Sequence, residues 1–68
     1  MKQKHFRSYS FQVVVSSRFS IETLSVIVRH NNMRIAWREA KNFVSAGGYR
    51  LLHLQSIIVD GRIYMSVK

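Results

Sequence analysis

The sequence predicts an α+β fold: a four-stranded, mostly antiparallel sheet with one helix packed on one face, in the order β-β-α-β-β. Three features predict it. A segment near the N-terminus alternates between apolar and polar residues, a central segment has apolar residues at helical spacing, and an Asp-Gly turn separates two apolar runs near the C-terminus. Because no linker, repeat or proline divides the chain, residues 1–68 are expected to form a single domain, with residues 1–7 as a basic tail that can fray.

The first strand is predicted over residues 8–16, "SYSFQVVVS". Its aromatic and β-branched side chains share one face, at Tyr9, Phe11, Val13 and Val15. A period of two is typical of a strand with one buried face. We therefore expect this strand to lie against the core.

Residues 20–30, "SIETLSVIVRH", allow two interpretations. The β-branched residues, among them Thr23 and Val26, favour a second strand paired with the first. Ser20 followed by Glu22 also resembles the start of a helix, in which case the chain would be a winged helix-turn-helix. We favour the strand, and this choice decides the fold.

The helix is predicted over about 13 residues beginning at Met33. Apolar side chains recur there at helical spacing and form one stripe: Met33, Ala36, Trp37, Ala40, Phe43 and Val44. Asn31 or Asn32 can cap the start of the helix, and Gly47 with Gly48 can end it. The stripe is expected to cover the sheet, and Trp37 to belong to the core.

The dipeptide Asp60-Gly61 predicts a two-residue type I′ hairpin between the last two strands. Val59 would then pair with Arg62, and the register that follows places Ile58 opposite Ile63.

The same register divides the hairpin into two faces. Ser56 would lie opposite Met65, on the face turned toward the helix. That face would collect the apolar side chains of Leu54, Ile58, Ile63, Met65 and Val67. The other face would carry His53, Ile57, Tyr64 and Lys68.

The residue inventory excludes most catalytic chemistry. Cysteine is absent, and the three carboxylates, Glu22, Glu39 and Asp60, stand apart in sequence. The three histidines are not at the spacing of metal ligands. We therefore expect no enzyme activity, no metal site and no cofactor.

Charge is the main functional indication. Eleven Lys and Arg oppose three acidic residues, for a formal net charge of +8, which favours nucleic acid or a nucleoprotein complex as partner. Arg34, Arg38 and Lys41 form a row at i, i+4 and i+7 on the predicted helix, where Arg can bind phosphate bidentately. Arg50 and Arg62 are expected as secondary contacts. An equally weighted alternative is that the row is only the solvated face of an amphipathic helix.

The sheet face away from the helix is a second candidate for binding. Aromatic and cationic side chains on a sheet can stack on bases. The candidates are Arg29, His53, Tyr64 and Lys68. The apolar Ile27 and Ile57 on this face would instead suit a homodimer interface.

Nothing in the sequence predicts a membrane segment. The basic N-terminus is followed by no apolar run of signal-peptide length, and no stretch approaches the roughly 20 apolar residues of a membrane span. We expect a soluble, cytoplasmic protein.

The layout of the chain resembles a known family. Two strands, one helix carrying "REAKNFVSAG" and a terminal hairpin "YRLLHLQSIIVDGRIYMSVK" look like the small phage-encoded anti-CRISPR proteins. The resemblance covers the whole chain as a plan and carries no individual residue across. It implies a helix packed on an antiparallel sheet, and an inhibitor whose Lys and Arg side chains occupy the place of target DNA in a type I surveillance complex.

These patterns predict a non-enzymatic binding protein of a phage or mobile element, which binds nucleic acid or the nucleic-acid channel of a host nucleoprotein complex. Two other classes stay open. One is a winged-helix DNA-binding regulator, and the other is a small dimerising module that touches no nucleic acid.

Overall fold

A computed structural model describes residues 6–67. Within them, four strands and one helix follow in the predicted order: β1 (Arg7–Ser16), β2 (Ile21–His30), α1 (Met33–Ala46), β3 (Arg50–Val59) and β4 (Arg62–Ser66). The strands form one antiparallel sheet in the order β2-β1-β3-β4, so the predicted α+β fold is confirmed. Residues 1–5 of the predicted tail and Lys68 lie outside the described residues, whereas Arg7 is the first residue of β1.

β1 is an inner strand of the sheet, because it pairs with β2 along one edge and with β3 along the other. The predicted alternation is confirmed. Tyr9 is 5% exposed, and Phe11, Val13 and Val15 have no exposed surface at all. The backbone N–H and C=O groups of this strand form hydrogen bonds with β2 and β3. Its apolar face can therefore be buried without leaving these groups unpaired.

β2 resolves the choice between strand and helix. Each residue from Ile21 to His30 pairs with a residue of β1, and Val26 is buried opposite Phe11. The winged helix-turn-helix alternative is therefore wrong. Ser20 donates its hydroxyl to Glu22 Oε2 at 3.1 Å in the connection before the strand, so the pair that resembled a helix start is a local turn contact.

α1 has the predicted length and both of its ends are capped by side chain or backbone. Asn32 Oδ1 accepts hydrogen bonds from the backbone N–H of Arg34 at 2.9 Å and of Ile35 at 3.2 Å. At the other end Gly48 has a φ of +85°, and its N–H donates to the carbonyl of Ser45. Tyr49 N–H donates to Val44 O, which completes a Schellman motif around the left-handed glycine.

The helix packs through its smallest side chains. Ala36 and Ala40 have no exposed surface and Val44 has 2%, which allows α1 to approach the sheet closely. Met33 and Trp37 are half-buried beside them. The prediction that Phe43 belongs to this stripe is wrong, because the side chain is 68% exposed at the outer edge of β2, beyond which no further described strand lies.

The β3–β4 turn is of the predicted type. Asp60 and Gly61 have φ values of +50° and +83°, as a type I′ turn requires. Val59 pairs with Arg62 and Ile58 with Ile63, again as predicted.

Beyond those pairs the predicted register is wrong. A bulge in β4 lies opposite the step between Ile57 and Ile58, so that Ile57 pairs with Met65 and Ser56 with Ser66, leaving Tyr64 without a direct partner in the ladder. Two more irregularities interrupt the pairing of β3 with β1. Each bulge inserts one residue and reverses which side chains face the core.

The face assignment of the hairpin is therefore also wrong. Ile57 is 6% exposed and belongs to the core, where it lies opposite Phe11 of β1. Ile58 and Ile63 pair with each other on the face away from the helix, since Ile58 also lies opposite Ser10. The sequence "LQSIIV" is apolar at odd and even positions alike, so its pattern does not choose a face.

Replacing a side chain of β1 should test where the core lies. We expect Phe11→Ala to lower the free energy of unfolding by about 3 to 5 kcal/mol, or to abolish folding, because a fully buried ring leaves a cavity. The matched control is Phe43→Ala, which removes an exposed ring and should change stability by less than about 0.5 kcal/mol. Urea denaturation followed by circular dichroism measures both, and equal effects of the two substitutions would contradict this core.

Candidate polyanion-binding surface

The predicted row of cations lies on the exposed side of α1. Arg34, Arg38 and Lys41 are all exposed and follow one another along the helix from its N-terminal end. With a rise of about 1.5 Å per residue, the row is roughly 10 Å long. That length corresponds to about three nucleotides of a duplex strand.

Trp37 connects this row to the core. Its ring packs against Phe11 of β1, with centroids 5.2 Å apart, and Lys41 Nζ lies 5.5 Å from the Trp37 ring centroid. The predicted core role of Trp37 is thus confirmed, although the side chain is only partly buried. The ring also makes a cation–π contact with Lys41.

The acidic residues do not neutralise the cations. Glu22 accepts from Ser20, and Asp60 Oδ1 accepts from the Ser8 N–H at 2.9 Å. Glu39 Oε2 lies 3.9 Å from His30 Nε2. Within residues 6–67, no Arg or Lys forms an ion pair with a carboxylate. The positive field of the surface is therefore left available to an external anion.

α1 leaves part of the sheet uncovered. The helix packs mainly over β2, less over β3 and β1, and does not reach β4. All five residues of β4 are consequently exposed, including Tyr64 at 62% and Met65 at 36%.

An open cleft of about 830 Å³ lies where the helix stops short of the hairpin. It is bordered by Met33 at the start of α1 and by Val59 at the end of β3. The polar and aromatic residues that line it are Phe6, Arg7, Tyr9, Asp60, Arg62 and Tyr64. Two guanidinium groups and three aromatic rings thus meet at one end of the sheet.

The cation row borders the same uncovered region. The flank of α1 with Glu39 and Phe43 lies over the outer edge of β2, because both residues line a hollow with Val26 and Val28. Helical geometry places Lys41 and Arg34 on the other flank of the buried stripe. That flank is on the β3 side of the helix, whereas Arg38 points away from the sheet, and Met33 is the only residue of α1 that lines the cleft.

Asp60 holds the hairpin against the start of β1. Its backbone N–H donates to Ser8 O at 2.8 Å while its side chain accepts from Ser8 N–H at 2.9 Å. This pair of bonds spans 52 positions in sequence and fixes Arg62 and Tyr64 relative to Arg7. The sequence indicated only the turn conformation of Asp60.

Other predicted contacts lie elsewhere. Arg29 pairs with Ser8, His53 with Val14 and Arg50 with Ser16, which places all three on the open face away from α1. Only Arg62 of the secondary set lies at the cleft. Lys68 is outside the described residues.

Tyr64 was predicted on the open face. It is the extra residue of the bulge in β4, so no partner strand residue fixes its face, and it lines the cleft together with Tyr9 and Met33. Phe6 and Arg7 were missed as cleft residues because the segment was interpreted as part of a tail. The adjacency of an aromatic and a cationic residue at the start of β1 is the signal that could have identified them.

Substitution of Asp60 should show whether the hairpin is held by its carboxylate. We expect Asp60→Ala to lower the free energy of unfolding by about 1 to 2 kcal/mol, through the lost hydrogen bond and the positive φ at this position. Asp60→Asn is the control, since its amide oxygen can accept the same bond and Asn tolerates this conformation. Hydrogen exchange of the Ser8 amide, measured by NMR, should accelerate in Asp60→Ala only; unchanged protection would contradict the contact.

Within residues 6–67, no helix is long and apolar enough to cross a membrane. Comparison with protein-family models, with curated proteins and with solved structures finds no match to this chain.

Proposed function

We propose that this chain is a non-enzymatic nucleic-acid-binding protein, and that Arg34, Arg38 and Lys41 contact the phosphate backbone. The observation that supports the proposal most is the charge arrangement. The three cations stand exposed in one row, and the carboxylates of the described residues are bonded elsewhere.

Physical chemistry favours a polyanion as the ligand of such a row. Each phosphate neutralised by Lys or Arg releases condensed counterions, so several adjacent cations gain affinity together. The cleft adds two further cations, Arg7 and Arg62, beside the start of the same helix. An acidic protein patch would need a matching row of carboxylates, whereas nucleic acid supplies evenly spaced phosphates in every sequence.

The anti-CRISPR resemblance suggests a related form of this proposal, in which the row binds nucleic acid held by a host complex instead of taking the place of target DNA. A channel that holds nucleic acid is itself lined with basic residues, so a chain of charge +8 is repelled by it when it is empty. Exposed guide or target nucleic acid in a host nucleoprotein complex would attract the same row. We place this activity in the cytoplasm, as an accessory function of a phage or mobile element.

Charge reversal on the helix tests the proposal. Arg34→Glu combined with Arg38→Glu should weaken binding to a short oligonucleotide by at least about tenfold and should lower the slope of log affinity against log salt. The measurement is fluorescence anisotropy at about 50 to 200 mM salt. The matched control, Arg18→Glu combined with Arg50→Glu, makes the same charge change at the opposite end of the sheet from the cleft.

If both double variants lose affinity equally, the helix row has no special role. A pull-down from lysate with and without nuclease separates the two forms of the proposal. Loss of every partner after nuclease indicates direct binding, and a nucleoprotein complex that survives indicates the inhibitor-like form.

Self-association is a second candidate function, favoured by the open face of the sheet. Ile27, Ser10, Ile58 and Ile63 lie in one row across the four strands, as the strand pairing shows. Ile27 and Ile63 are 69% and 72% exposed. Exposed isoleucines in one row across the open face of a sheet are typical of an interface.

A dimer formed through this open face would depend on salt in the opposite way to nucleic-acid binding. Two chains of charge +8 repel each other, so self-association should strengthen with salt, opposite to nucleic-acid binding. Ile27→Lys should abolish a dimer in sedimentation equilibrium. The matched control, Phe43→Lys, alters an equally exposed side chain on the helix and should leave it intact. A monomer at every salt concentration excludes this candidate.

A further inference from the structure

We propose that the cleft between α1 and the β3–β4 hairpin holds an unpaired base of a single strand, so that the protein prefers single-stranded to double-stranded nucleic acid. This inference rests on the proposed function and names its substrate class. The side chains that line the cleft support this inference. Binding of phosphates by the helix row alone would not need them.

The cleft is large enough to admit a base. Sites for small ligands usually enclose about 300 to 1,000 Å³, and this cleft measures about 830 Å³. Its mouth is open to solvent along β4, because α1 does not extend over that strand. A chain of nucleotides can therefore enter and leave without displacing a secondary-structure element.

The aromatic side chains at the cleft are unusually exposed. Phe6 is 55% exposed and Tyr64 is 62% exposed, whereas Tyr9 forms the floor of the cleft and is 5% exposed. Exposed rings next to a cavity provide flat apolar surfaces on which a base can stack. Such stacking requires a base that is not already stacked in a duplex.

The charges at the cleft suit a phosphate beside the base. Arg7 and Arg62 both line it, and neither forms an ion pair within the described part of the chain. Asp60 is the single carboxylate of the lining, and its Oδ1 is already bonded to the Ser8 N–H. Two guanidinium groups and one carboxylate leave the lining with a net charge of +1.

The path of the strand follows from the position of the helix row. Met33 lines the cleft, and Arg34 is the next residue along the chain. Lys41 lies about two helical turns beyond Arg34 along α1. A strand whose base enters the cleft would therefore continue past Arg34 toward Lys41, with its phosphates beside the cations.

The experiment compares single-stranded and duplex oligonucleotides of equal length by fluorescence anisotropy. The wild-type protein should bind the single strand more tightly. Phe6→Ala combined with Tyr64→Ala should weaken single-strand binding by roughly tenfold or more, as loss of base stacking does, and leave duplex binding within about twofold. Both side chains are exposed, so circular dichroism is expected to show an intact fold.

Two controls separate stacking from other effects. Tyr64→Phe keeps the ring and should retain single-strand affinity, because the hydroxyl is not needed for stacking. Phe43→Ala removes another exposed ring, at the outer edge of β2, and should have no effect.

Equal binding of single strand and duplex by the wild-type protein, or equal loss of both in the double alanine variant, overturns the cleft proposal. If Arg34→Glu with Arg38→Glu still abolishes binding in that case, the proposed function stands without it. Absence of binding to either oligonucleotide by the wild-type protein overturns both.

Discussion

The structure depends on how much of a four-stranded sheet one helix can cover. An α-helix with its side chains is about 10 Å wide, whereas four strands about 4.8 Å apart form a sheet of nearly 20 Å. α1 lies mainly over β2 and also touches β1 and β3, so the core centres on β1. The alanines at positions 36 and 40 bring the helix close to this strand, and β4 is left without cover. The cleft exists because the helix is narrower than the sheet and leaves β4 uncovered.

Local sequence patterns predicted the strands, the helix and the turn, because residues that are close in sequence determine each of them. The alternation from Tyr9 to Val15 matched a buried strand, and Asp60-Gly61 matched the positive φ values of the turn. The strand-to-strand register could not be predicted in the same way. Two bulges in β3 against β1 and one in β4 at Tyr64 each change which residues of their strand face the core. β3 has apolar residues at odd and even positions, so only its pairing with β1 places Ile57 rather than Ile58 in the core.

One part of the candidate surface, the helix row, is determined by local sequence, and the other part, the cleft, is determined by tertiary structure. The row on α1 was predictable because i, i+4 and i+7 spacing is a property of one helix, and all three cations are exposed. The cleft was not, because its residues come from the start of β1, the start of α1 and the final hairpin. Its geometry is set by the two hydrogen bonds between Asp60 and Ser8, which join positions 52 residues apart.

The incomplete cover of the sheet by α1 also links the stability of the fold to the proposed binding surface. Hydrophobic burial alone would favour covering Phe6 and Tyr64, which are 55% and 62% exposed. Instead these rings border a region where Arg7 and Arg62 also stand without acidic partners among residues 6–67. Exposed aromatics and unpaired guanidinium groups are each tolerable on a small protein. Their coincidence at one uncovered end of the sheet, beside the only helix of the described chain, is the pattern that a base and its phosphate would satisfy together.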